Sequence, residues 1–251
     1  MPHTCLVTGA GRGIGRAVAT RLAASGHRVA LTARSAGELD VTAAACAGET
    51  LVIPADLTAD GAVGQVFDTV EKAWGGVDVL VANAGVAQSA PLTGTTDELW
   101  NAALALNLTV PFQCLRRATP GMVERGYGRV VVVASVAAKH GEPYLAAYTA
   151  SKHGVLGLVR SAAAELSQTG VTVNAVCPAY VDTSMTERSV ARLVSLTGRD
   201  PAELLRLLER KQPIGRLINV EEVADAVEFC VKGTDAFTGL GLDVAGGAIQ
   251  S

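Results

Sequence analysis

A doubly wound α/β fold, with seven parallel strands and helices on both faces, is predicted by three observations. Short β-type apolar runs alternate with longer stretches of helical apolar spacing, the rhythm of parallel strands joined by crossover helices. The chain is 49% apolar and rich in Ala, Val and Leu, which suits strands covered on both faces. A glycine-rich turn separates the first strand from the first helix.

The elements follow in order. Thr4-Cys-Leu-Val-Thr8 is the first strand, and Ile14, Val18 and Leu22 give 14–25 the spacing of a helix face. Strands are predicted next at 28–33, 50–54 and 78–82, with a helix over 61–74. No helix is assigned between the second and third strands. A long helical pattern covers 97–125 and is expected to break near Thr109-Val-Pro111. A strand over 129–134, a helix over 147–168, a strand over 171–176, a helix over 220–231 and a strand over 240–245 complete the series. The segment 184–215 interrupts the rhythm. It is polar and helix-prone, with Val190, Leu193, Val194 and Leu196 spaced for one helical face. Leaving the sixth strand at the edge where ligands of open α/β sheets sit, it is expected to roof the site as a lid. There is no repeat or linker, so 1–251 is read as a single domain.

Two constellations carry chemistry. Gly9-Ala-Gly-Arg-Gly13-Ile-Gly15 lies between a strand and a helix, the context in which glycines let the backbone approach a pyrophosphate. The helix N-terminus then offers its free N–H groups to the anion. Downstream, Tyr148 and Lys152 are four apart and share a helix face. A cation beside the phenol favours the phenolate and lowers its pKa, which suits acid–base work. Ser135 ends the run Val130-Val-Val-Val-Ala134 and can reach the same point from a strand tip.

The GxxxGxG spacing, Asn83-Ala84-Gly85, Asn107, Ser135 and the Tyr148/Lys152 pair together resemble the short-chain dehydrogenase/reductase family over essentially the whole chain. The resemblance gives the sheet its Rossmann type. It implies a tetrad of Asn107, Ser135, Tyr148 and Lys152, with Asn107 fixing a water that relays protons towards Lys152. It places Gly9, Arg12, Gly13, Ile14, Gly15, Arg34, Asp56, Leu57, the Asn83–Gly85 stretch, Tyr148, Lys152, Pro178, Val181 and Thr183 around a nicotinamide dinucleotide. Asp56 would bond the adenine and Thr183 the nicotinamide carboxamide. One departure is Cys177-Pro178-Ala179 where the family usually has Pro-Gly. Ala adopts positive φ less readily than Gly, so the loop carrying Thr183 is expected to shift.

Ala33 stands where the family's NAD enzymes carry an acid, Arg34 follows it, and Arg12 lies inside the glycine loop. Two guanidinium groups can bracket a 2′-phosphate, so the sequence favours NADP (NADPH) over NAD. Candidate substrate contacts are Val86, Gln88, Val136, Ala137, His140, Tyr144, Tyr180 and Met185. They are mostly apolar or amphipathic, which points to an acyl chain or hydrophobic ketone rather than a sugar.

The stretches 124–129, 150–155 and 169–178 look like bacterial β-ketoacyl and polyketide ketoreductases. Gly126 and Thr169 replace the Arg that fatty-acid-synthesis reductases often carry for carrier docking, so a CoA thioester or free ketone remains open beside a carrier-bound substrate. Two other readings stay open: an NAD-dependent dehydrogenase oxidising a 3-hydroxyacyl-CoA, and a non-catalytic NADP-binding regulator.

A net charge of −3 without a long Lys/Arg cluster argues against a nucleic-acid partner. No apolar stretch reaches about 18 residues, so no membrane span is expected. The first strand begins near Met1, leaving no room for a signal peptide. Five scattered cysteines without CxxC spacing read as reduced core residues of a cytoplasmic protein. Four histidines without ligand spacing point to no metal. Apolar residues around much of 112–125 and 147–168, with the family resemblance, imply a homotetramer.

Overall fold

In the computed structural model, which describes residues 2–249, strands and helices alternate along the chain. Met1 and the last two residues of the single-domain range lie outside it. The elements are β1 (Thr4–Thr8), α1 (Gly13–Ala24), β2 (Arg28–Ala33), α2 (Ala36–Ala45), β3 (Thr50–Pro54), α3 (Ala62–Trp74) and β4 (Val79–Ala82). They continue with α4 (Asp97–Leu104), α5 (Val110–Glu124), β5 (Gly128–Val133), α6 (Ala146–Leu166) and β6 (Val171–Pro178). Last come α7 (Ser184–Thr197), α8 (Pro201–Arg210), α9 (Val220–Lys232) and β7 (Gly241–Val244).

The seven strands form one parallel sheet in the order β3-β2-β1-β4-β5-β6-β7. The order reverses direction beside β1. A crevice therefore opens between β1 and β4 at the carboxyl edge, the place where such sheets bind ligands. Both faces are covered. One apolar cluster packs α3, α5 and α6 on one face, through Phe67, Val70, Leu115, Met122, Val155 and Val159. The other packs α1 and α9 on the opposite face, through Val18, Leu22, Val223 and Val227. Every residue of β1, β4, β5 and β6 is buried, and burial on both faces explains why these strands are mostly apolar.

Three local features differ from the sequence expectations. A helix, α2, occupies the stretch left unassigned; Ser35 caps it by accepting from the Glu38 N–H at 3.3 Å. Only Leu39 and Thr42 of this helix are buried, so its apolar signal is short. The long pattern over 97–125 does not break at Pro111. It runs from α4 into α5 through a π-turn at Ala105–Thr109, and Pro111 follows directly in the first turn of α5, so the change in helical ladder accompanies the proline rather than ending the helix. The apolar stripe of α7 is met by α8: Val190, Leu193 and Val194 pack with Leu204 and Leu208, while Leu196 remains exposed. Tyr180 and Leu217 also pack against this cluster.

Candidate active site

The carboxyl ends of β1, β4, β5 and β6 bring the predicted residues together. Thr8 at the end of β1 accepts from the N–H groups of Asn83 and Ala84 at 2.9 and 3.0 Å. The Asn83 amide donates back to the carbonyls of Thr8 and Gly9 at 2.9 and 3.2 Å. Asn83 thus clamps β4 to the glycine loop. The sequence motif signalled Asn83 but not Thr8.

The loop itself is built for close approach. Gly9 has φ +64, and a Cβ there would lie 2.9 Å from the Ala84 Cα. A Cβ on Gly15 would collide with the Gly9 carbonyl oxygen. Gly13 faces Thr183, whose Cγ2 would be 3.3 Å from an added Cβ. At the N-terminus of α1, Arg12 provides no side-chain cap and the first turn holds no acid, whereas Ser35, Thr96, Thr183 and Asp200 cap α2, α4, α7 and α8. Open first-turn N–H groups under a bare backbone cradle fit a dinucleotide pyrophosphate. Ile14 and Leu57 are turned into the two apolar clusters, so any part they play at the loop is through their backbone.

On the ribose side, Arg34 is exposed. Asp56 holds both Thr58 groups on one oxygen, at 3.0 and 2.7 Å. Those bonds, with the nearby Arg34 charge, keep its carboxyl below the usual range. Arg12 donates to Glu38 at 3.2 Å, a partner that the sequence reading missed. The only local signal for Glu38 was the Ser35-Ala-Gly-Glu38 spacing of a capped helix start.

The acid–base residues sit at the tip of β5 and the start of α6. Ser135 caps the short turn after β5, accepting from the Ala137 N–H at 3.1 Å, and also lies against the Tyr148 phenol. It has both roles at once, strand-end cap and neighbour of the tyrosine. Lys152 is buried, and its Nζ lies 5.7 Å from the Tyr148 ring centre. Its ammonium donates to the Val133 carbonyl at 2.9 Å.

The expected lowering of the Tyr148 pKa by Lys152 is not found. Burial raises the phenol, opposed by its bond with Ser135. Burial also brings Lys152 down to about 8. The hydrogen bond found for the ammonium is the one to the Val133 carbonyl.

Asn107, in the π-turn, is 1% exposed. It accepts from the Val86 N–H at 2.8 Å and donates to the Val86 carbonyl at 2.9 Å and to Ser151 Oγ at 3.0 Å. Its side chain therefore fixes the loop after β4. A Cβ on Gly85 would lie 3.1 Å from Asn107 Oδ1 and 3.8 Å from Lys152 Nζ, so both groups border the same small space.

Tyr144 is the only non-glycine with positive φ among the described residues, at 65°, so Ala179 adopts an ordinary conformation. Pro178 pairs with Val244, and Val181 forms a bridge to Ile218. Thr183 accepts from the Thr186 N–H at 3.5 Å as the cap of α7.

The proposed substrate residues differ in burial and partners. Val136 and Ala137 are buried in the turn after Ser135, and Gln88 and Tyr144 are exposed at the rim. His140 and Tyr180 belong to one polar network: Glu142 accepts from Lys211 at 2.9 Å and pairs with His140 at 3.0 Å, while Lys211 also reaches the Tyr180 hydroxyl at 3.3 Å. Met185 is half-buried in the first turn of α7. Glu142 and Lys211 were not anticipated, because nothing in their local sequence sets them apart.

The family model described as short chain dehydrogenase matches residues 3–193. The chain belongs to the short-chain dehydrogenase/reductase family. It is similar to the monensin polyketide synthase putative ketoacyl reductase of Streptomyces virginiae, at 39% identity over 98% of this chain and 96% of the relative. It is 33% identical to the D-beta-hydroxybutyrate dehydrogenase of Rhizobium meliloti (strain 1021), over 98% of both. Among solved structures it resembles a single-site variant of actinorhodin polyketide ketoreductase with NADPH, with TM-score 0.94 and 35% identity over 98% of this chain and 97% of that one. This short-chain dehydrogenase is thus an NAD(P)-dependent oxidoreductase related to ketoacyl reductases, and the reading as a non-catalytic regulator is set aside. Among the described residues, no helix is long and apolar enough to cross a membrane.

Proposed function

We propose that this oxidoreductase is an NADPH-dependent ketoreductase that converts a β-ketoacyl thioester or a related hydrophobic ketone to the secondary alcohol. The observation that carries the reading is the meeting of Ser135, Tyr148 and Lys152 beside the open N-terminus of α1, with buried Val136 and Ala137 next to them. The likeness to ketoacyl reductases supports the substrate class. A nicotinamide held over the glycine loop would supply hydride to the carbonyl carbon.

The chain's own residues do the rest. Ser135 donates to the carbonyl oxygen as negative charge develops there. Tyr148 gives that oxygen its phenolic proton, so the C=O π bond is replaced by one C–H and one O–H bond. A phenol raised by burial is held protonated at neutral pH, the form an acid needs. Lys152 would hold the cofactor ribose and return a proton to the phenolate, being resupplied through a water that Asn107 would fix.

Arg12 and Arg34 would hold the 2′-phosphate, Asp56 the adenine and Thr183 the carboxamide. Gln88, His140, Tyr144, Tyr180 and Met185 would line the substrate path, and 184–215 would close over it within a single domain. The active form is a homotetramer in the cytoplasm, and the exposed Phe112, Phe229 and Phe237 support the assembly. NADPH oxidation against a panel of β-ketoacyl thioesters and simple ketones tests the reading; turnover of none of them sinks it. A second reading, oxidation of a 3-hydroxyacyl substrate with NAD, is favoured by the hydroxybutyrate dehydrogenase relative. The same panel run in reverse with NAD⁺ and NADP⁺ separates the two.

A further inference from the structure

The acid missing at position 33 is present in space, contributed by another element. Glu38 sits in the first turn of α2, and its carboxylate lies over the glycine loop. A Cβ on Gly11 would be 3.0 Å from the Glu38 Cβ, 3.1 Å from its Oε2 and 3.7 Å from the Ala33 Cβ. The loop, the end of β2 and Glu38 therefore meet at one point.

The direction of the carboxylate is itself informative. Ser35-Ala-Gly-Glu38 has the spacing of a capping box, in which the glutamate would turn back to the Ser35 N–H. At the start of α9 the glutamate at the same spacing does turn back: Glu222 Oε2 accepts from the Asn219 N–H at 2.8 Å. In α2 only the Ser35 half is formed, and Glu38 Oε1 accepts from Arg12 Nη1 at 3.2 Å instead. The helix start gives up a hydrogen bond, and a negative charge is left beside the guanidinium placed to meet a phosphate.

We propose that Glu38 is a specificity-determining residue that restrains the affinity for a 2′-phosphorylated dinucleotide. It does so in two ways. Arg12 must leave one anion to bind the other, so only the difference between the two interactions is gained. The carboxylate also opposes a phosphate monoester carrying about −1.5 to −2 charges, while it can accept a hydrogen bond from a ribose 2′-hydroxyl. Arg34 remains exposed and available, so NADP(H) binding is moderated rather than prevented. The inference rests on the reading that the glycine loop holds a nicotinamide dinucleotide, and not on which one is preferred.

Binding alone tests it. NADPH, NADH and 2′,5′-ADP are titrated by fluorescence and calorimetry against the parent protein, Glu38→Gln, Arg12→Ala and the double variant. Glu38→Gln is expected to tighten NADPH and 2′,5′-ADP by roughly twofold to fivefold, the range for one exposed charge pair. NADH should be unchanged or weaker. The gain should shrink in the Arg12→Ala background, because Arg12 is the group that Glu38 occupies. Equal shifts for NADPH and NADH, or no shift in 2′,5′-ADP, would overturn the proposal, as would binding of neither dinucleotide by the parent. A parent that prefers NADH counts against the NADPH assignment alone; Glu38→Gln must still move the ratio towards NADPH.

Discussion

Lys152 is a buried cation whose ammonium is held by one backbone carbonyl. Burial lowers it from 10.5 to about 8, so folding favours its neutral form. The sign follows: between about pH 8 and 10.5 the unfolded chain binds the extra proton, and stability rises with pH across that window. Below pH 8 the cost is fully present, up to roughly 3 kcal/mol for such a shift, reduced by the bond to Val133. Lys152→Met is therefore expected to gain about 1–2 kcal/mol at pH 7 while losing activity. Denaturant melts at pH 7 and 10 check this, and the variant's advantage should narrow at the higher pH. For the neighbouring phenol, Tyr148→Phe removes only an O–H and leaves the ring in place. Turnover should fall by at least about 100-fold with NADPH affinity retained. A rate assay beside a fluorescence titration measures both, and activity above a few per cent of the parent would show that Tyr148 is not the acid.

At the scale of elements, the segment after β6 is a small unit of its own. The packing of α7 on α8 buries only Val190, Leu204 and Leu208, little enough for it to open separately from the sheet. It is pinned at its end by Lys211 on Glu142. Burial works to raise the Glu142 carboxyl, but the hydrogen bonds from Lys211 and His140 prevail and lower it. That contribution is present above the ordinary carboxyl pKa and is lost as pH falls through the lowered value. Amide exchange over 184–215 is therefore expected to be fast in the free protein and slow with NADP⁺ plus a substrate analogue. Lys211→Ala should speed it further and raise KM several-fold. Protection that is already high without ligand, and unchanged on binding, would mean a permanently docked pair of helices.

For the whole molecule, the exposed aromatic residues set the expectation. Phe229 and Phe237 lie 5.3 Å apart between ring centres, both partly exposed, as is Phe112 of α5. Apolar surface of this kind is costly to leave in water. Light scattering should give the mass of four chains at micromolar concentration. Phe229→Asp should lower the mass without unfolding the monomer; a parent that runs as a monomer would contradict the assembly.

Read alone, the sequence determined the alternating architecture, because a parallel sheet buried on both faces needs unbroken apolar strands and amphipathic crossovers. It also singled out the glycine loop and the Tyr148/Lys152 pair as candidates, since glycines that must admit a backbone and a Tyr–Lys pair four apart are local constraints, but not Thr8, Glu38, Glu142 or Lys211. Helix α2 escaped because so little of it is buried, and the π-turn escaped because its one mark is an inward Asn107. Only the tertiary structure decided what those residues do to one another. Lys152 bonds a carbonyl 19 positions away, Arg12 meets Glu38 across 26, and Lys211 reaches Glu142 across 69. Periodicity within a segment carries no information about such pairs. They are set by strand order, which brings the ends of β1, β2, β5 and β6 to one edge, and by burial, which decides whether a charge there meets water or a partner.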